Sequence, residues 1–156
     1  MVRIQRGFPG GPPARVRLVA LDAGAYHRVV SPVRAETCVK RLRAVCAVLP
    51  EAAERPGGEG GRHVAYTVRG RTFGYFTDDH HGDGRLALSC KASAGEQAAL
   101  IAADPQRFFV PPYLGHRGWV GLWLDAAPVD WAEVRELLVE SYCLTAPKRL
   151  AAAVGG

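Results

Sequence analysis

The chain has 156 residues, 48% hydrophobic and 22% charged, the balance of one ordinary globular domain that can bury a core. The net charge of +5 is unevenly placed: residues 1–34 hold six arginines against one acid, while 14 basic and 14 acidic residues cancel over 35–156. The longest apolar runs, residues 44–49 and 98–103, are far below the roughly 18 residues of a membrane span, and Leu18–Leu21 is too short for an export-signal core of roughly 7–15 apolar residues.

Residues 1–34, rich in Gly, Pro and Arg, lack a sustained period and read as a flexible extension. Two other readings stay open: an Arg-rich arm that grips phosphates, and a native start at Val33. From 35 to 49, Cys38, Leu42, Val45, Cys46 and Leu49 recur at steps of three and four, which predicts an amphipathic helix closed by Pro50. Residues 51–62 read as a loop by their Pro and Gly content. Val64, Tyr66 and Val68 alternate with Ala65 and Thr67, and 72–77 is aromatic and β-branched, so Arg69-Gly70-Arg71 reads as a tight hairpin turn. A longer turn, 78–84, leads into a third strand over 85–91 with Leu86, Leu88 and Cys90 on one side.

A short helix is expected over 96–103, ended by Asp104-Pro105. Residues 119–124 form a strand apolar on both faces, with Trp119 and Trp123 opposite Val120, Leu122 and Leu124, and Gly121 leaves room beside the tryptophans. Asp130 opens the last helix as N-cap with Glu133 as an acidic capping box, and Trp131, Val134, Leu137, Leu138 and Tyr142 form its buried stripe. The order helix, three strands, helix, strand, helix describes an α+β domain over 35–150, an antiparallel β-sheet with helices packed on one face. Residues 151–156 are expected to be a disordered tail.

Chemistry is sparsely marked. Cys38, Cys46, Cys90 and Cys143 are scattered without a C-x-x-C pair and read as reduced thiols of a cytoplasmic protein. The run Asp78-Asp79-His80-His81-Gly82-Asp83 has metal-ligand chemistry, but neighbouring histidines on an extended chain diverge, so a solvated hairpin tip is the better reading and no metal is assigned. No serine sits in a nucleophile motif and no glycine pattern cradles phosphate, so no catalytic residue and no cofactor is assigned. Glu133, Glu136 and Glu140 align on the last helix as a solvent face. Residues 111–118 combine two prolines and two glycines with Tyr113, His116 and Arg117: either a rigid site for an anion or base edge, or a crossover with Tyr113 packed on the core.

The run ADPQRFFVPPYLGHRGWVGLWLD (103–125), Asp130-Trp131, the closing Tyr142 with APKRL (146–150), and the earlier YTVRGRTFGYF (66–76) and KASAGE (91–96) together resemble the MmcQ/YjbR-like family over 36–150. The resemblance implies a CyaY-like (bacterial frataxin) fold and DNA binding through two hairpins likened to paired wings, here 69–71 and 78–85. It brings no established catalytic residues. The leading expectation is a non-enzymatic DNA-binding or regulatory domain that contacts phosphate through Arg69, Arg71, Lys91, Arg117, Lys148 and Arg149. The alternative is a small-molecule or protein-partner module with a pocket at Tyr113, His116, Arg117 and Trp119, suited to a planar or anionic ligand. No membrane partner is expected.

Overall fold

The computed structural model describes residues 18–21, 25–28, 32–58, 62–126 and 128–155. Most of the extension expected over 1–34 therefore lies outside the described residues. Within it, β1 (Leu18–Leu21) and β2 (Ala25–Arg28) pair antiparallel as a separate two-stranded ribbon, and helix α1 (Pro32–Cys46) already begins at Pro32. The expected boundary at 35 thus moves to 32, where the fixed φ of proline suits a helix's first turn. No helix among the described residues is long and apolar enough to cross a membrane.

The period-two alternation builds the main sheet. Strands β3 (Ala52–Pro56), β4 (Val64–Val68), β5 (Arg71–Asp78), β6 (Leu86–Lys91), β7 (Phe108–Phe109) and β8 (Trp119–Trp123) are ordered β3-β4-β5-β6-β8-β7, every neighbouring pair antiparallel. The β4–β5 turn is as tight as its sequence implies: Arg69 (φ 51°) and Gly70 (φ 76°) are both left-handed, as a two-residue turn matched to strand twist requires.

Three elements correct the expected order. Strand β3 occupies part of the stretch expected to be a loop, because β4 presents an unpaired ladder that even Ala-Ala-Glu-Arg-Pro can satisfy; proline is tolerated there since β3 is an edge. Strand β7 adds a two-residue edge beyond β8. Helix α4 (Lys148–Gly155) replaces the expected disordered tail over 151–155. Its alanines favour helix, Leu150 is buried, and the carbonyl of Pro147 accepts from Leu150 and Ala151 at 2.9 and 3.0 Å.

One sheet face carries Tyr66, Val68, Phe73, Phe76, Leu86, Leu88, Cys90, Val120, Leu122 and Leu124, all buried. Against it pack α1 through Cys38, Leu42 and Cys46, and α3 (Trp131–Thr145) through Val134, Leu138 and Tyr142. Phe73 meets Tyr142 edge-on at 5.4 Å, and the Tyr142 hydroxyl donates to the Pro50 carbonyl at 2.6 Å. Ser141 fastens α3 to the sheet, accepting from the Lys91 N–H and donating to the Phe73 carbonyl. Asp130 caps α3 as its sequence implies, its carboxylate accepting from the Ala132 and Glu133 amides. Glu133 does not complete the capping box: its carboxylate takes Arg107 at 2.7 and 3.2 Å, tying α3 to the residue before β7. Helix α2 (Glu96–Ala103) lies beside β7, and α4 packs on α3.

Candidate functional site

Among the described residues, the opposite face of the sheet has no helix layer. Its outward residues follow from the same alternation: Tyr75 and Thr77 on β5, Ala87 and Ser89 on β6, Trp119, Gly121 and Trp123 on β8. Because Ala87 and Ser89 are small, β6 forms the floor of a trough between the taller side chains of β5 and β8. Phe109 of β7 fills the space over Gly121; a methyl group there would lie 2.3 Å from the Phe109 ring, so only glycine allows the approach. The ring stacks on Trp123 at 4.0 Å and 19°, and the Arg85 guanidinium lies over Trp123, 3.8 Å from its centroid. Trp119 is buried against Tyr75, 5.6 Å between centroids.

The trough becomes a cleft of about 490 Å³, within the size range of small-molecule sites. Val110, Pro111, Pro112, Tyr113 and Leu114 wall it on one side, and His63, His80, Asp83 and Gly57 close another. The crossover is held by Gln97 of α2, whose side-chain amide donates to the Gly115 and Trp119 carbonyls. Tyr113 is 79% exposed with φ at +65°, so it does not pack on the core. An aromatic residue in left-handed backbone costs of order 1–3 kcal/mol. Both features fit a residue kept for contact with something outside the chain.

At the closed end, Asp79 and His81 also have positive φ. Asp79 ties the turn by accepting from the Gly84 N–H at 2.6 Å and from Arg62 at 3.4 Å. The His63 Nδ1 accepts from the Asp78 N–H at 3.2 Å, and its Nε2 makes no hydrogen bond among the described residues. His80 lies 5.4 Å from His63 and 4.0 Å from His81 between ring centroids. Burial first, then His81 and His63, holds His80 below its ordinary pKa; burial raises that of Asp78 against the pull of Arg62. Arg85 is bound to the buried Asp125 at 3.0 Å, and that carboxylate also accepts from the Leu86 N–H. Among the described residues no three His, Cys, Asp or Glu side chains are placed to hold a metal ion. Burial pushes Cys46 and Cys90 up to about 12 and Cys38 up to about 11, so none of these thiols supplies a thiolate nucleophile near neutral pH.

The residues expected to form a pocket are only partly brought together. Tyr113 lines the cleft, whereas His116 and Arg117 stand exposed on the 3-10 turn Gly115–Arg117 outside the lining, and Trp119 is spent on packing. The lining residues missed in the sequence, His63, His80 and Asp83, come from segments whose meeting depends on the β4–β5–β6 register.

The expected phosphate contacts do gather. Pairings Ala52↔Val68, Val68↔Arg71 and Lys91↔Trp119 put Arg69, Arg71, Lys91 and Arg117 at one end of the sheet, and Arg149 joins them 3.8 Å from Glu51. Two are partly neutralised, because Arg69 also pairs with Glu51. Arg71, Lys91, Arg117 and Lys148 form no ion pair among the described residues. The two hairpins, 69–71 and 78–85, lie at opposite ends of the eight-residue β5, about 23 Å apart at 3.3 Å per residue.

The family model YjbR matches residues 47–144. Among solved structures, the chain is similar to the Deinococcus radiodurans protein DR2400, which carries the domain DUF419, at 26% identity and a TM-score of 0.60, covering 75% of this chain and 87% of that one. Nothing among curated proteins matches it.

Proposed function

The chain belongs to the YjbR family, and from that premise we propose that it works as a non-enzymatic binding module that takes a planar small molecule in the cleft on the open face of its sheet. The observation that carries this reading is the aromatic trough walled by Tyr113, a residue both strained and exposed. A CyaY-like arrangement is part of the same reading, since helices on one face leave the other free to receive a ligand. Among the described residues, no hydrogen bond joins the Ser89 or Thr77 hydroxyl of the lining to His63, His80 or Asp83, which favours a binding role over turnover. A thermal-shift screen of planar fragments tests the reading. A fragment at 100 times its Kd should stabilise the protein by about 2.7 kcal/mol, and Ser89→Phe, which fills the trough floor, should abolish the shift. Hits that survive both Ser89→Phe and Tyr113→Ala would place binding elsewhere.

A second reading, nucleic-acid binding, is favoured by four cations that form no ion pair among the described residues, Arg71, Lys91 and Arg117 at the other end of the sheet and Lys148 next to Arg149. It takes the form of one basic edge rather than two wings, because 78–85 is remote and acidic. Neutralising about four phosphates predicts a slope near −3.6 in log K against log salt. Undetectable duplex binding at about 50 mM salt would remove this reading.

A further inference from the structure

Resting on the cleft as a ligand site, we infer that its ligand is an organic cation, a planar ring bearing an ammonium or amidinium-type group held against Asp83. The lining contains one carboxylate, Asp83, and no lysine or arginine. Asp79 and Asp83 both act electrostatically on Asp78, so three carboxylates share this end. The two nearest guanidiniums are already committed, Arg62 to Asp79 and Arg85 to the buried Asp125. His80, held neutral by its surroundings, adds no positive charge at neutral pH. The potential at this end is therefore negative, the reverse of what a loop carrying Arg117 suggests from sequence.

Aromatic walls supply the second half of the argument. The negative π-faces of Tyr and Trp attract cations, most strongly where water is excluded. This surface already does so once: the Arg85 guanidinium sits 3.8 Å from the Trp123 centroid. Tyr75 and Tyr113 remain for an incoming ligand, with Phe109 closing the trough beside them. An anion at the same place would meet Asp83 at short range, while the nearby guanidiniums of Arg85 and Arg62 are already paired to Asp125 and Asp79.

Three ligands of one shape separate the possibilities: benzylammonium, benzyl alcohol and benzoate, titrated at pH 7.5 and followed by the Trp123 indole and β6 amide resonances. Benzylammonium is expected to bind about tenfold more tightly than the alcohol, with benzoate weakest. Asp83→Asn keeps an oxygen for the Arg85 N–H, which Asp83 now holds at 2.9 Å. It should bring benzylammonium to within about twofold of the alcohol and leave the alcohol unchanged. If the alcohol or benzoate binds the wild-type cleft as tightly as the cation, the charge preference is wrong while the cleft remains a ligand site. If none of the three perturbs cleft resonances, the ligand reading of the cleft falls with it.

Discussion

The two faces of the six-stranded sheet are both apolar, yet only one is a core. On the helix side Phe76, Leu88, Val120 and Leu124 are each 1% exposed or less, locked beneath α1 and α3. On the other side equally large residues, Tyr75, Phe109 and Trp123, are only partly covered among the described residues, by one another, Trp119, the Arg85 guanidinium and a proline-rich crossover. Close packing has to be complete on one face for the domain to be stable. The second face is then released from that duty, and its aromatics can serve recognition.

The sharpest way to break the comparison is to truncate one residue on each face. Phe76→Ala should cost about 3–5 kcal/mol in chemical denaturation, because the close-packed face under α1 and α3 resists collapse of the cavity. Phe109→Ala on the half-open face should cost about 1–2 kcal/mol, since part of its ring is already in water. Equal losses would mean the open face is a second core. Next in size is Asp125→Ala, which orphans the Arg85 guanidinium and the Leu86 N–H and should cost about 2–4 kcal/mol. Asp130→Ala removes the α3 cap and should cost about 1 kcal/mol, which Asp130→Asn should largely restore.

A smaller effect of opposite sign belongs to the covered face. The Tyr66 hydroxyl is buried without a hydrogen-bond partner among the described residues, and burial, then Cys46 and Glu54, raises its pKa. Tyr66→Phe should therefore be neutral or stabilise by up to about 1 kcal/mol. The smallest effect is on the open face, at His80. Its folded pKa is lowered, so the unfolded chain takes the proton first as pH falls. Its contribution is whole above the unfolded value near 6.5 and is lost below it. His80→Asn should flatten the stability profile between about pH 7 and 5. A steeper profile in the variant would assign the acid sensitivity to other groups.

Much of this was legible in the chain itself. Steps of three and four marked Cys38, Leu42 and Cys46; alternation separated Leu86, Leu88 and Cys90 from Ala87 and Ser89; Arg-Gly-Arg and Asp130 announced a turn and a cap. Tyr113 could be singled out by its proline-bounded loop. The remote positions of the two hairpins were also implicit, because successive turns of a meander alternate between ends. These features are local: side-chain period and turn chemistry depend on a few adjacent residues. What only the tertiary structure decided is non-local. Strand β3 exists because β4 offers it a ladder, and the tail becomes α4 because Leu150 finds a buried place. The sign of the cleft follows the same rule. It depends on which charges are spent on partners, Arg62 on Asp79 and Arg85 on Asp125, and the second of these pairs spans 40 residues of sequence.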